Sequence, residues 1–314
     1  MSIAAVVIGR NEGARLVACL EALQGRVGQI VYVDSGSTDG SVAAAESAGA
    51  QVIPLDMTQP FTAARARNAG LAALDAGAEY VQLLDGDCVL RDGWLETAKA
   101  FLDENPKAAV ACGRRRERHP EASLYNALVD DEWDTPVGQA KACGGDALMR
   151  LSALREVGGY RETLIAGEEP ELCLRLRQAG WTVWRLDAEM TWHDAALTRF
   201  GQWWQRSRRA GHAFAEGAFL HGAPPERHWV AETRRALLWG AALPLGILCC
   251  TLFVSPWALL LCAIYGLQML RLSRHKSFQW AFFTVLGKFP EALGALSFHL
   301  SRIRGRKTRI IEYK

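Results

Sequence analysis

Tyr80-Val81-Gln82-Leu83-Leu84-Asp85-Gly86-Asp87 decides how this chain is read. A largely apolar run of strand length ends abruptly in two carboxylates separated by a glycine, so the acids project from a strand end. A second stretch, Val31-Tyr32-Val33-Asp34 followed by Ser35-Gly36-Ser37-Thr38-Asp39-Gly40, repeats the sequence of β run, acid and glycine. In an open α/β sheet two such ends face one crevice, which is where these sheets bind nucleotides.

Outward from these stretches, short β-branched runs alternate with alanine-rich helical ones. Strands are expected over 3–8, 29–33, 51–54 and 80–84, with helices over 12–23, 41–48 and 63–76 between them. That alternation predicts βαβ units and a mostly parallel sheet with helices on both faces. The amino-terminal residues Met1 to Ile8 carry no basic n-region and read as a first strand, not a signal peptide. Farther on, 113–120 and 130–136 read as loops rimming the site, 172–178 as a short amphipathic helix and 181–184 as an edge strand.

Charge is unevenly spread along the 314 residues. Positions 231–314 hold 12 Lys/Arg and 3 Asp/Glu, leaving 24 and 31 for the first 230. The basic residues flank apolar segments and do not form a patch interleaved with aromatics, so nucleic acid is excluded as partner and an anionic membrane surface is favoured. The eight cysteines have neither C-x-x-C spacing nor a paired framework, which predicts buried, reduced thiols.

Two regions follow from this. Residues 1–230 are expected to form the catalytic domain, ending in a helix near 198–220 that carries Phe200, Trp203, Trp204 and Phe214 with Arg206, Arg208 and Arg209. That helix suits a membrane interface or packing on the catalytic body equally. Residues 231–314 are expected to be membrane-associated. The run 236–270, broken at Ser255-Pro256, predicts a helical hairpin with Arg234-Arg235 before it and Arg271, Arg274 and Lys276 after it, so both ends favour the cytoplasm. A shallow re-entrant hairpin fits the same residues. Residues 278–300, interrupted by Lys288, Pro290 and Glu291, predict an amphipathic interfacial helix, and 302–309 a basic tail.

The chemistry implied is that of a sugar nucleotide. Asp34 can accept hydrogen bonds from base or ribose, and Asp87 can ligate Mg²⁺ or Mn²⁺, hard ions that bridge phosphates. A carboxylate must also take the acceptor's proton, and Gly167-Glu168-Glu169-Pro170-Glu171 supplies candidates that equally suit the first turn of a helix. His193 reads either as a ligand or as a structural histidine.

Ile8-Gly9-Arg10-Asn11-Glu12, Val33-Asp34 through Gly40, Ala66-Arg67-Asn68-Ala69-Gly70 and Asp85-Gly86-Asp87 occur in the order seen in family 2 glycosyltransferases of the GT-A fold. Cys143-Gly144-Gly145-Asp146, Val157-Gly158-Gly159-Tyr160 and Glu168-Glu169-Pro170-Glu171 continue the likeness, which covers about residues 3–215. The resemblance implies that Ile8, Glu12, Asp34 and Arg67 line the nucleotide pocket and that Asp85 faces ribose or metal-bound water. It further implies Asp87 as direct metal ligand, completed by His193, and Asp146 as facing donor sugar and acceptor. The family's Glu-Asp pair falls on Glu168-Glu169, so Glu169 would be the general base. The family usually has aspartate there, and the extra methylene leaves the base open between Glu169 and Glu168. Gln202-Trp203-Trp204-Gln205-Arg206 lacks the terminal tryptophan of the Q-x-x-R-W motif of processive synthases. The expectation is therefore a metal-dependent inverting hexosyltransferase at the inner (cytoplasmic) membrane, its catalytic domain in the cytoplasm. It would move one sugar from a nucleotide-sugar donor, commonly a UDP-sugar, to a lipid or lipid-linked acceptor. A processive synthase and a non-catalytic membrane partner retaining the fold are the alternatives.

Overall fold

The computed structural model describes residues 2–305 and divides into two compact units, one of 1–164 with 168–198 and one of 165–167 with 199 onward. The boundary expected near 230 thus lies inside the second unit.

In the first unit, β1 (Ile3–Gly9), β2 (Gln29–Asp34), β3 (Gln51–Pro54) and β4 (Tyr80–Asp85) lie in the order β3-β2-β1-β4, all parallel. Helices α1 (Ala14–Glu21), α2 (Ser41–Ser47) and α3 (Ala63–Ala72) make the crossovers. Residues Ala4 to Val7 of β1 are at most 1% exposed, as befits a central strand covered on both faces. Helix α3 reaches the sheet through Gly70. A Cβ there would lie 2.3 Å from Val6 Cγ1, so any side chain would push the helix away.

Beyond β4 the sheet becomes mixed. The added elements are β5 (Cys88–Leu90), α4 (Trp94–Glu104), β6 (Ala108–Glu117), α5 (Leu124–Trp133), β7 (Gly138–Ala140), β8 (Ala147–Arg150), α6 (Leu151–Glu156), α7 (Glu168–Gln178) and β9 (Thr182–His193). Strand β8 runs antiparallel between β4 and β6, β6 is parallel to β9, and β9 is antiparallel to β5 and β7.

Three local expectations are corrected here. Residues 182–184 begin a long interior strand, not an edge strand. Most of 113–120 is strand, and 130–133 is the last turn of α5. Charged residues masked these elements in the sequence. In the fold they are matched: Arg116 grips Glu189 across β6 and β9 through two N–H···O bonds of 2.7 Å, and Arg114 reaches Asp130 at 3.0 Å.

In the second unit, α8 (Phe200–His221) is followed by α9 (Val230–Leu237), a π-helical turn over Leu238–Ala242 and α10 (Leu243–Phe253). The wide turn sits where Pro244 removes the N–H that would bond the Gly240 carbonyl. Val230–Phe253 is one 24-residue helical segment. After a turn at Ser255, a 3₁₀ stretch (Pro256–Cys262) continues into α11 (Ala263–Ser273), making a second segment of 18 residues. Both segments are long and apolar enough to cross a membrane, and Leu252, Phe253, Trp257 and Leu260 are largely exposed.

Residues 278–300, expected as one helix, form α12 (Phe278–Leu286) and α13 (Lys288–Ile303). Pro290 cannot donate to the Leu286 carbonyl, which accounts for the break. Helix α13 crosses α8 at backbone contact: a Cβ on Gly211 would lie 2.0 Å from the Glu291 carbonyl oxygen, and one on Gly294 2.0 Å from that of Arg208. Trp203 of α8 meets Phe283 edge to face at 4.9 Å between centroids. Residues 306–309 of the expected basic tail lie outside the described residues. All eight cysteines are free; Cys19, Cys88, Cys112 and Cys173 are buried, but Cys249, Cys250 and Cys262 are exposed, a correction to the expectation for these three.

Candidate active site

The candidate residues gather at the carboxyl ends of β1, β2 and β4, where the strand order reverses between β1 and β4. Parallel register sets Ile8 opposite Asp85 and Gly9 opposite Asp34. Ile8 itself is buried, and its carbonyl accepts the Gly86 N–H at 2.8 Å. Glu12 pairs with Arg15 at 2.7 Å, and its side chain lies against Gly9 and Gly86. The Asp34 carboxylate is held rigidly, accepting from Tyr32 Oη at 3.1 Å and from the Gly36 and Ser37 N–H groups at 3.0 Å each. Two oxygens with four acceptor sites leave capacity for a base or ribose. Asn11, at φ 56°, ties the loop after β1 to that after β2 through Ser37 and Thr38.

Arg67, on α3 and 3% exposed, draws three carboxylates together. Its Nη2 lies 2.8 Å from Asp85 Oδ1, and its Nη1 lies 2.6 Å from Glu169 Oε1 and 3.2 Å from Glu168 Oε1. Glu168 and Glu169 open α7, where the helix dipole favours acids. The third acid of the cluster departs from the site: Glu171 pairs with Arg161 at 2.9 Å and Arg175 at 2.8 Å.

One guanidinium cannot neutralise three carboxylates, and all are shielded from water except Asp85, about a third exposed. Burial therefore pushes the Glu169 carboxyl up to about 7, Glu168 and Asp85 push the same way, and Arg67 pulls against them. Burial also opposes charge on Arg67, but Glu169, Asp85 and Glu168 more than offset it and hold its pKa well above the ordinary value.

Asp87 ends the acidic turn with its Oδ1 3.2 Å from His193 Nε2. Antiparallel pairing of β5 and β9, with Cys88 opposite His193, makes this meeting. Asp87, Cys88 and His193 place one donor atom each within 4.8 Å of one another, all buried. His193 Nδ1 is buried without a hydrogen-bond partner among the described residues. Burial, followed by Asp87 and Asp85, pushes the Cys88 thiol well above its ordinary value, and a soft sulfur is in any case a poor match for hard ions such as Mg²⁺ and Mn²⁺. One carboxylate and one imidazole would be able to hold Mn²⁺ or Mg²⁺, hard ions that favour oxygen donors.

Asp146 is fully buried, and its two oxygens are engaged by Arg115 and the Thr191 hydroxyl. It is therefore set into the protein beside the site rather than presented openly to a sugar. Arg115 lies 5.2 Å over the Trp133 ring, and Trp133 meets His193 edge to face at 4.7 Å. Both residues lie in segments that the sequence places at the rim of the site as loops, without singling either of them out.

The chain is similar in sequence and in fold to known proteins. Residues 4–136 match the profile of glycosyl transferase family 2. The chain is 29% identical over 228 residues to the pre-mycofactocin glycosyltransferase of Mycobacterium tuberculosis, covering 69% of this chain and 47% of that protein. It thus spans about half the length of this relative. It is 26% identical to the succinoglycan biosynthesis protein ExoA of Rhizobium meliloti, covering 82% and 83% of the two chains. Among solved structures, a mannosyltransferase from Pyrobaculum calidifontis in complex with GDP-Man and Mn²⁺ superposes with a TM-score of 0.67 at 19% identity, covering 94% and 87%. TarS of S. aureus gives 0.54 at 14% identity, covering 100% and 97%. Residues 4–136 thus resemble glycosyl transferase family 2, and the chain shares the GT-A fold of these neighbours.

Proposed function

We propose that this protein is an inverting glycosyltransferase that moves a single sugar from a nucleotide-sugar donor to a lipid or lipid-linked acceptor at the cytoplasmic face of the membrane. The observation that carries the reading is the pairing of two acidic centres at one strand end: Asp87 with His193, and Glu169 held on Arg67 with Asp85. Asp34 and the loops around it would seat the nucleoside. Asp87 and His193 would hold Mg²⁺ or Mn²⁺, which when bound supplies Lewis-acid neutralisation of the departing diphosphate. Glu169, with its pKa near neutrality, would remove the proton of the acceptor hydroxyl, and Glu168 beside it is the second candidate for that role.

Support for a metal and a nucleotide sugar comes from the Pyrobaculum neighbour, which binds GDP-Man and Mn²⁺. Guanosine donors therefore belong beside uridine donors in any test. A lipid acceptor is supported by the two exposed apolar segments of 24 and 18 residues, which would keep the enzyme where such an acceptor resides.

The test is nucleotide release from UDP-, GDP- and dTDP-sugars by detergent-purified protein, with Mn²⁺ or chelator, and with or without extracted membrane lipids. The expected result is metal-dependent release that rises with lipid and disappears in Asp87→Ala and Glu169→Gln. Release that is indifferent to lipid but stimulated by a soluble glycan would move the acceptor off the membrane, and nucleotide binding without release across the panel would favour a non-catalytic partner.

A further inference from the structure

Arg67 belongs to a motif whose likeness to the family implies a nucleotide contact, yet both terminal nitrogens of its guanidinium are already engaged, and Nε is buried without a hydrogen-bond partner among the described residues. Nη1 serves Glu169 and Glu168, and Nη2 serves Asp85. The Tyr160 ring covers the group at 5.6 Å, and Asn68 fixes Tyr160 by donating to its carbonyl and accepting from its N–H, both at 2.9 Å. On another side the backbone of Gly145 closes in, so tightly that a Cβ there would lie 2.6 Å from Nη2.

We propose that Arg67 is a positioning residue that aims Glu169 at the acceptor hydroxyl and couples it to Asp85 at the donor end, and that it does not bind the nucleotide. This rests on the transferase reading and extends it. The groups facing Glu169 are Arg67 from α3, Asp85 from β4, Glu168 from its own helix, Tyr160 after α6, and Cys143 before β8. Arg67 is the cation in this set. Without it the glutamate is surrounded by carboxylates and neutral groups, so it ionises only at higher pH and loses its tether.

The experiment uses full-length Arg67→Gln and Arg67→Lys. The expected result for Arg67→Gln is a kcat at pH 7 lower by about 100-fold, in the range ascribed to a misplaced general base. Its donor KM and the calorimetric affinity for UDP or GDP with Mn²⁺ would stay within about threefold, since ground-state binding is not its task. The acidic limb of the kcat–pH profile would move upward by about one unit or more, and lysine would restore part of that shift.

A nucleotide affinity weakened by about tenfold or more with an unmoved acidic limb would overturn the proposal and return Arg67 to the nucleotide pocket. A readout free of turnover separates this from failure of the transferase reading, which would show as an inactive wild type. At pH 8 the apparent unfolding temperature of Arg67→Gln should fall, and adding Glu169→Gln should recover much of the loss. Strictly additive losses would overturn the pairing. Should Arg67→Gln alone fail to fold, recovery of folding in the double variant supports it and persistent failure refutes it.

Discussion

Replacing Glu169 by glutamine is expected to raise stability while abolishing activity, and the size of the gain follows from the site. Its carboxyl is raised from 4.5 to about 7 on folding, led by burial. A folded-state pKa above the unfolded one means that the folded protein holds the proton more tightly. The stabilising contribution is therefore complete below pH 4.5 and is lost as pH rises toward 7. At about 1.36 kcal/mol per unit, the loss is about 3 kcal/mol. Glutamine preserves shape and has no such dependence. The stability difference between Glu169→Gln and wild type should thus widen by about 3 kcal/mol in favour of the variant between pH 4.5 and 8, a shift of roughly 6–12 °C in apparent unfolding temperature for a body of this size. Thermal unfolding in detergent at half-unit pH steps measures it. Over the same range, wild-type kcat should rise about tenfold per unit below pH 7 and then level, while the variant falls by roughly 1,000-fold. Parallel stability curves for the two proteins, or a wild type that gains on the variant as pH rises, would refute the assignment of Glu169 as a buried carboxyl that ionises near neutrality.

Further outcomes follow from other parts of the structure. His193→Ala should weaken Mn²⁺ binding in the presence of UDP by about tenfold or more, within the range for altered metal sites, whereas Cys88→Ala should leave it within about twofold because a hard ion takes oxygen donors in preference to sulfur; titration calorimetry separates the two. Gly211→Ala forces a methyl to within 2.0 Å of the Glu291 carbonyl oxygen. It should destabilise the helical unit by about 1–3 kcal/mol or more, read as faster proteolysis of the second unit. Gly70→Ala, with Cβ 2.3 Å from Val6 Cγ1, should cost the sheet unit a similar amount and lower its unfolding temperature.

Much of the parallel half of the fold is legible because its signals are local. A buried β run followed by acid and glycine marks a strand end whichever way the remainder folds, and Asp34, Asp85 and Asp87 are all located this way. The mixed half is not legible for a physical reason. Strands β6 and β9 carry Arg114, Arg115, Arg116, Arg185 and Glu189, whose charges imitate loop composition until cross-strand partners are known. A correct pattern reading therefore fails where long-range pairing replaces water as the partner of a charge.

For the site, the amino-acid order alone determined which residue types are available, that two acids sit at a strand end, and that Glu168, Glu169 and Glu171 suit the first turn of a helix. Only the tertiary structure divided their labour. It turned Glu171 toward Arg161 and Arg175, gathered Glu168 and Glu169 on Arg67, and buried Asp146 against Arg115 and Thr191. It also brought His193 to Asp87 from more than a hundred positions away. Local sequence specifies backbone periodicity and side-chain chemistry. A pKa or a ligand set depends on distances and on exclusion of water, and these exist only once remote segments have packed.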